Sequence, residues 1–96
     1  MHGEYKMQGG KLVVVDLEVR DGRLEQVQLS GDFFLEPDSA LEVIDRALEG
    51  QSELASEAVL ADAVRVALAS DVMMYGISPE AIAVAVCRAL HRESRT

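Results

Sequence analysis

The sequence predicts an α+β domain in which a small three-stranded antiparallel sheet is covered by about three C-terminal helices. Two observations lead to this fold class. Apolar residues alternate with polar ones in the first third of the chain, whereas after residue 37 they recur at helical spacing. The 96 residues, 49% of them hydrophobic, suffice for one core and therefore for a single domain spanning 1–96. Because an antiparallel sheet needs a cover on one face, we expect the later helices to provide it.

The first predicted element is a β-hairpin. Between Lys11 and Arg20 every second residue from position 13 is apolar, which predicts a strand with one buried face. Asp21-Gly22 suits the left-handed conformations of a two-residue turn, and an extended pattern continues from there to Ser30. Leu24 lies three residues before Val27 instead of two. We therefore expect either a frayed first residue or a β-bulge in the second strand.

A third strand is expected from Asp32 to Glu36, where it would continue the meander after the interruption at Gly31. Phe33 and Phe34 are adjacent in this segment, and neighbouring side chains of a strand point to opposite faces. Helices on one side of the sheet cannot cover both rings. Either the N-terminal segment packs over the second ring or a partner protein covers it.

Two helices are predicted in the middle of the chain. Pro37 suits the first turn of helix one, whose apolar residues recur at helical spacing until Gly50. Ser52 is the expected N-cap of helix two, which is an Ala/Leu/Val-rich run to about Ser70.

An apolar connection and a third helix complete the chain. The connection, 71–76, contains Met73, Met74 and Tyr75, and such flexible thioethers and an aromatic ring suit a partner surface. Core filling is the competing and preferred interpretation of these three side chains. Ser78-Pro79 then provides the N-cap and first-turn proline of helix three.

Charge and cysteine usage restrict the possible functions. The 17 acidic and 9 basic residues give a net charge of -8, which repels phosphate backbones and anionic lipid, so neither nucleic acid nor a membrane is an expected partner. No apolar run approaches the roughly 20 residues that span a bilayer, and the first six residues lack a signal-peptide core. The single Cys87 forms no internal disulfide. We expect a cytoplasmic protein.

The sequence contains no recognisable catalytic set, so no catalytic residue and no metal ligand is assigned. His2 and His91 lie near opposite ends of the chain, in segments expected to be mobile. Cys87 and His91 have the spacing of two metal ligands on a helix, but further ligands are not evident, and a small, partly buried thiol is the preferred interpretation. Gly9-Gly10 precedes a strand, whereas a dinucleotide-binding turn would precede a helix.

Several short motifs nevertheless occur in an order that resembles a known family. They are Glu4-Tyr5-Lys6, Gly9-Gly10-Lys11-Leu12-Val13, Val15-Asp16-Leu17, Ser30-Gly31-Asp32-Phe33-Phe34-Leu35-Glu36-Pro37 and Tyr75-Gly76-Ile77-Ser78-Pro79-Glu80. Together they resemble the C-terminal accessory domain of lipoate-protein ligases, over roughly Glu4 to Leu90. In some archaea and bacteria of this family the domain is a separate small subunit, which this chain resembles in length.

The resemblance implies a non-catalytic accessory subunit with no cofactor of its own and no activity expected alone. Its partner would be the large catalytic subunit of a lipoate-protein ligase, which binds ATP, Mg and lipoate. That subunit activates lipoate to lipoyl-AMP and transfers the lipoyl group to a lysine of an acceptor protein. The resemblance also implies a fold similar to that of the iron–sulfur scaffold and sulfur-acceptor proteins.

Contacts with the partner or its adenylate pocket are expected at two segments, Gly9-Gly10-Lys11 and Gly31-Asp32-Phe33-Phe34. Lys11 either extends toward the adenylate as a point charge or is simply solvated. Asp32 is expected to hold its loop by accepting backbone hydrogen bonds, and Gly31 to provide an unusual backbone angle.

Two alternative functions remain open at this point. One is a sulfur-handling or iron–sulfur assembly protein of the same fold, and the other is an interaction-only regulator of a ligase-like enzyme. The first requires a thiolate in the loop after the hairpin, where this sequence has Gly31-Asp32-Phe33.

Overall fold

The helices follow the three strands of a sheet and cover one of its faces, as predicted, in a computed structural model that describes residues 1–7, 9 and 11–90. In chain order the elements of these residues are β1 (His2–Lys6), β2 (Leu12–Arg20), β3 (Arg23–Gly31), β4 (Phe34–Glu36), α1 (Ala40–Leu48), α2 (Glu57–Ala67), β5 (Met73–Tyr75) and α3 (Pro79–Ala89). The first three strands form an antiparallel sheet in the order β1-β2-β3. β4 and β5 form a separate two-stranded antiparallel ribbon.

The β2–β3 hairpin has the predicted turn, and of the two alternatives for its second strand, a frayed first residue or a β-bulge, it has the bulge. Asp21 and Gly22 adopt left-handed conformations, with φ of 55° and 78°. Between Asp16 and Glu18 the register shifts so that one residue of β2 faces two of β3. Gln26, with φ of 53°, is the exposed residue at this bulge. The bulge places three apolar residues on the buried face, namely Leu24, Val27 and Leu29.

The third strand of the sheet is the N-terminal segment, and the prediction that 32–36 would take this place is wrong. β1 pairs with β2 from His2↔Asp16 to Lys6↔Leu12, so His2 lies in a strand and not in a mobile segment. The strand signal of β1 is weak because its five residues include one large apolar side chain, Tyr5. Pairing with β2, rather than local alternation, makes this segment a strand.

The segment after β3 cannot extend the sheet because α1 and the chain after it occupy the outer edge of β3. The Val27 N–H donates to Glu49 Oε2 over 3.1 Å. The Leu29 N–H donates to Asp45 Oδ1 over 3.1 Å. Backbone hydrogen bonds to residues 50–53 continue along the same edge. Residues 34–36 therefore pair with β5, which lies within the predicted connection 71–76.

Two helices begin later than predicted. Pro37 lies in the turn before α1, which begins at Ala40, so this proline is outside the helix. Ser52 does not cap α2, because it forms an antiparallel bridge with Arg23 of β3. The cap is Ser56, whose hydroxyl accepts a hydrogen bond from the backbone of the first helical turn.

One hydrophobic core lies between the sheet and the helices. α3 packs on β1 and β2, α1 packs on β3, and α2 packs on both α1 and α3. α3 begins as predicted, with the Ser78 hydroxyl accepting from the Ala81 N–H over 3.1 Å. Cys87 is buried in this core, while its predicted neighbour His91 lies outside the described residues. The largest fully buried side chains are Leu17, Leu24, Ile44, Leu48, Leu60, Ile82, Val13, Val15, Val64 and Val86. None of the helices in the described ranges is long and apolar enough to cross a membrane.

Candidate partner-binding surface

The sheet brings the two segments predicted to contact a partner to the same end of the molecule. Lys11 directly precedes β2 and Gly31 ends β3, and the register pairs Val13 with Gly31. The Asp32 N–H donates to the Leu12 carbonyl over 3.0 Å. The Lys11 segment and the Gly31–Phe34 corner are thus neighbours although a whole hairpin separates them in the sequence.

Gly31 is required at this corner by its surroundings. Its φ is 144°, and a β-carbon built there would lie 2.1 Å from the Leu12 carbonyl oxygen, a distance that no side chain tolerates. The unusual backbone angle predicted for Gly31 is therefore present. Asp32 holds the corner through its backbone N–H, whereas its exposed carboxylate has no hydrogen-bond partner among the described residues. The predicted role of that carboxylate is not observed.

The loop that joins β1 to β2 carries the other predicted contact segment. The Met7 N–H donates to the Lys11 carbonyl over 2.6 Å and closes this loop. Gly9 is exposed within it, with φ of 98°, while Gly10 lies outside the described residues. Lys11 is exposed, and its stem lies against Gly76, where an added β-carbon would meet Lys11 Cγ at 2.8 Å.

Phe33 and Phe34 lie in different environments, as the alternation predicted. Phe33 is half-buried and packs against the core. Phe34 is 55% exposed, and its ring contacts that of Tyr75 with centroids 5.9 Å apart and planes inclined at 43°. The N-terminal segment is used as β1 and leaves Phe34 exposed, so the alternative in which a partner covers this ring remains.

The ribbon has a buried inner face and an apolar outer face. Leu35 and Met74 point inward and pack on the core. The outer side chains, which we call the ribbon face, are Phe34, Glu36, Met73 and Tyr75. A solvated sheet face usually carries polar residues, but here three of the four are apolar or aromatic.

The sequence alone predicts only part of the ribbon face. Core filling is the correct interpretation for Met74 and the wrong one for Met73 and Tyr75, which are 50% and 46% exposed. A strand of three residues is too short to show alternation by itself. The pairing of Tyr75 with Phe34 identifies its outward side chains.

A small pocket adjoins the ribbon face. Its walls are Phe33, Phe34, Leu35, Asp38 and Leu41, and its volume is about 190 Å³. An apolar cavity of about 150 Å³ accepts a benzene molecule. The pocket therefore has the size of one leucine or phenylalanine side chain.

Comparison with known proteins adds one informative likeness. No protein-family model matches the chain, and no curated protein matches it. Among solved structures it is similar to a chain from an archaeal lipoylation system, described as a bipartite lipoate protein ligase and its E2 lipoyl domain from Thermoplasma acidophilum. The two are 25% identical with a TM-score of 0.62, over 94% of this chain and 97% of the other. This likeness supports a lipoylation-related domain. It extends over nearly the whole domain and not over the hairpin alone.

The titratable groups of this lipoylation-related domain lie mainly on its surface. His2 bridges Glu4 and Asp16, with ring nitrogens 2.7 and 2.8 Å from their carboxylates, and these hydrogen bonds raise the pKa of the imidazole. Within the described ranges no group of three His, Cys, Asp or Glu side chains could hold a metal ion. Cys87 is only 3% exposed. Among the described residues, Phe34, Met73 and Tyr75 are exposed together on the ribbon face, while Leu54, Val59 and Val66 are exposed on α2 and the loop before it.

Proposed function

We propose that the chain is a non-catalytic accessory subunit that binds the large subunit of a lipoate-protein ligase and supports ATP-dependent activation of lipoate to lipoyl-AMP. The observation that carries this proposal is the likeness, over nearly the whole of both chains, to a component of a bipartite lipoate protein ligase system. The ordered motifs of the sequence, from Glu4 to Leu90, support the same assignment.

In this proposal the chain provides a contact surface, and the large subunit binds the substrates and catalyses the reaction. ATP, Mg and lipoate are held by the large subunit, in which the lipoate carboxylate attacks the α-phosphorus of ATP and pyrophosphate leaves. The Gly9-Gly10-Lys11 segment and the Gly31–Phe34 corner contact the large subunit beside its adenylate pocket. Contact there would exclude water while the carboxylate and ATP react. Their proximity in the fold supports a single continuous contact surface.

The test is lipoate-dependent exchange of labelled pyrophosphate into ATP, measured on the purified large subunit with and without this chain. We expect the chain to raise the exchange rate at least about tenfold, because adenylation would depend on a completed pocket. The Leu54→Ala variant is the matched control, since Leu54 is exposed and lies outside the proposed contact segments. This variant is expected to activate like the wild-type chain. Equal rates with and without the wild-type chain would contradict the proposal.

The two alternatives make different predictions. An interaction-only regulator would co-purify with the large subunit and leave the exchange rate unchanged. A sulfur-handling protein would accept persulfide sulfur or a cluster, which requires an accessible thiolate. The burial of Cys87 within the core and the Gly31-Asp32-Phe33 sequence at the corner both disfavour the sulfur-handling alternative.

A further inference from the structure

The ribbon face and the pocket beside it have the properties of a protein-docking surface. We infer that this surface binds the ligase large subunit by receiving one large apolar side chain in the pocket, with basic residues of that subunit surrounding the contact. The inference rests on the proposed function for the identity of the partner. It deepens that function by specifying the chemistry of the partner's surface.

The centre of the surface is apolar and already ordered. Phe34 and Tyr75 are paired across the two strands and hold each other through their ring contact. The backbone that carries both rings is hydrogen-bonded, so the rings are already ordered before binding. Little side-chain entropy is therefore lost when a partner binds. Aromatic residues and methionine are enriched at the cores of protein interfaces, and Met73 completes the set.

The pocket fixes the size and polarity of the group it receives. Phe33, Phe34, Leu35 and Leu41 supply apolar walls, and the volume of about 190 Å³ suits one branched aliphatic or aromatic side chain. Asp38 is exposed at the wall and offers a carboxylate to a cation beside that side chain. A side chain anchored in this way is typical of an interface hot spot.

The charge around the surface selects the kind of partner. Asp32, Glu36 and Asp38 are all exposed around this centre and outnumber the one cation beside it, Lys11, whose stem lies against Gly76, in a chain whose net charge is -8. A second copy docked face to face would bring these carboxylates together, and like charges at an interface are repulsive. A partner with basic residues around an apolar side chain would instead be attracted.

The first experiment measures binding of full-length variants to the purified large subunit by titration calorimetry. Phe34→Ala and Tyr75→Ala are each expected to raise Kd at least about tenfold, as truncation of a hot-spot residue does. Leu54→Ala and Val66→Ala remove apolar side chains that are even more exposed, at 81% and 84%, but belong to α2 and the loop before it and not to the ribbon. These two controls are expected to keep Kd within about twofold. Thermal unfolding of each variant verifies that it is folded.

A second pair of variants tests the charge of the partner. Phe34→Glu and Phe34→Lys remove the same ring and differ in the sign of the charge that replaces it. A basic partner surface predicts that Phe34→Lys binds more weakly than Phe34→Glu, by at least about threefold at low salt, and that the difference shrinks as salt is added. Equal Kd values for the two variants would overturn the basic character assigned to the partner.

The outcomes separate this inference from the proposed function. If Phe34→Ala and Tyr75→Ala bind and activate like the wild-type chain, the docking surface and the proposed contact at Phe34 are wrong while the accessory function stands. If the wild-type chain forms a dimer in sedimentation that Phe34→Ala dissociates, a second copy covers the ribbon face and the inference is overturned. If the wild-type chain neither binds the large subunit nor raises pyrophosphate exchange, both proposals fail.

Discussion

Individual glycines determine how closely the strands of this domain approach their neighbours. A β-carbon at Gly3 would lie 2.3 Å from the Ala85 carbonyl oxygen and 2.4 Å from the Ala89 nitrogen of α3. The two alanines are themselves fully buried. The backbone of β1 therefore lies directly on the backbone of α3, and neither side leaves room for a larger residue. Gly31 likewise permits a close approach to the backbone of Leu12, at the point where the chain leaves the sheet.

This packing predicts that Gly3→Ala destabilises the protein. We expect a loss of about 3 kcal/mol in the free energy of unfolding, because the added methyl group must push β1 away from α3. Unfolding in urea, followed by circular dichroism, measures the loss. Gly50→Ala is the control: its β-carbon would meet nothing within 4 Å, and only its φ of 91° makes alanine unfavourable, at about 1 kcal/mol. Similar losses for the two variants would contradict the packing argument.

At the scale of elements, α1 covers the outer edge of β3, so that β4 pairs with β5 instead of extending the sheet. Asp45 and Glu49 accept hydrogen bonds from backbone N–H groups of β3 that would otherwise be available to a fourth strand. Burial raises the pKa of Asp45 to about 6, with a further contribution from Glu49, although the hydrogen bond from Leu29 opposes it. The helix thus holds a carboxylate in a place where its ionised form is disfavoured.

The raised pKa of Asp45 predicts a defined pH dependence of stability. The folded chain binds this proton more tightly than the unfolded chain, whose Asp pKa is 3.8, so the contribution of Asp45 to stability is greatest below pH 3.8. It is lost as the pH rises through about 6. Asp45→Asn keeps an acceptor for the Leu29 N–H, and we expect it to raise stability at pH 7 by no more than about 1 kcal/mol, since the group is partly exposed and screened by solvent.

The measurement is the difference in unfolding free energy between Asp45→Asn and the wild-type chain at several pH values from 4 to 8. Taking this difference removes the contributions that the other titrating groups, among them His2, make to the unfolding free energy. The difference is expected to grow from pH 4 to pH 7. Asp71→Asn makes the same chemical change at an exposed loop position and is the control for the substitution itself. A flat profile for Asp45→Asn would show that burial does not perturb its carboxyl.

At the scale of the whole molecule, the core is shared by the sheet and the helices and closes over Cys87. α3 contacts β1 and β2 on one side and α2 on the other, so its buried face is enclosed by three elements. Cys87 is 3% exposed in this arrangement. A reagent reaches such a thiol only when the elements around it separate, which links its reactivity to opening of the core.

We therefore expect the thiol of Cys87 to react with an aromatic disulfide reagent at least roughly a hundredfold more slowly in the folded than in the unfolded protein. The measurement is the labelling rate in increasing urea, which should rise in parallel with unfolding. A Cys87→Ala, Val66→Cys double variant places a thiol at a position that is 84% exposed and serves as the fast-reacting control. Equal rates for the two folded proteins would contradict the enclosed core and strengthen the sulfur-handling alternative.

Local signals in the sequence determined the fold class, the hairpin and the start of α3. The Asp21-Gly22 turn, the offset of Leu24 from Val27, and the Ser78-Pro79 cap each depend on residues within a few positions of one another. Turn conformation, side-chain alternation and capping are short-range properties, so the sequence alone predicts them. The alternation at Phe33 and Phe34 likewise showed that one ring needs a separate neighbour.

Tertiary structure alone decided which strands pair and what surface results. β1 is a strand because it pairs with β2, and Gly3 lets it lie against Ala85 and Ala89 of α3, more than eighty residues away in the chain. β4 lies outside the sheet because Asp45 and Glu49 accept hydrogen bonds from the outer edge of β3. Tyr75 meets Phe34, and Lys11 lies beside Gly76, only once these pairings exist. Such contacts depend on shape and hydrogen bonding between distant segments. The two members of such a contact never lie in one short stretch of sequence. The ribbon face could therefore be recognised only in the folded chain.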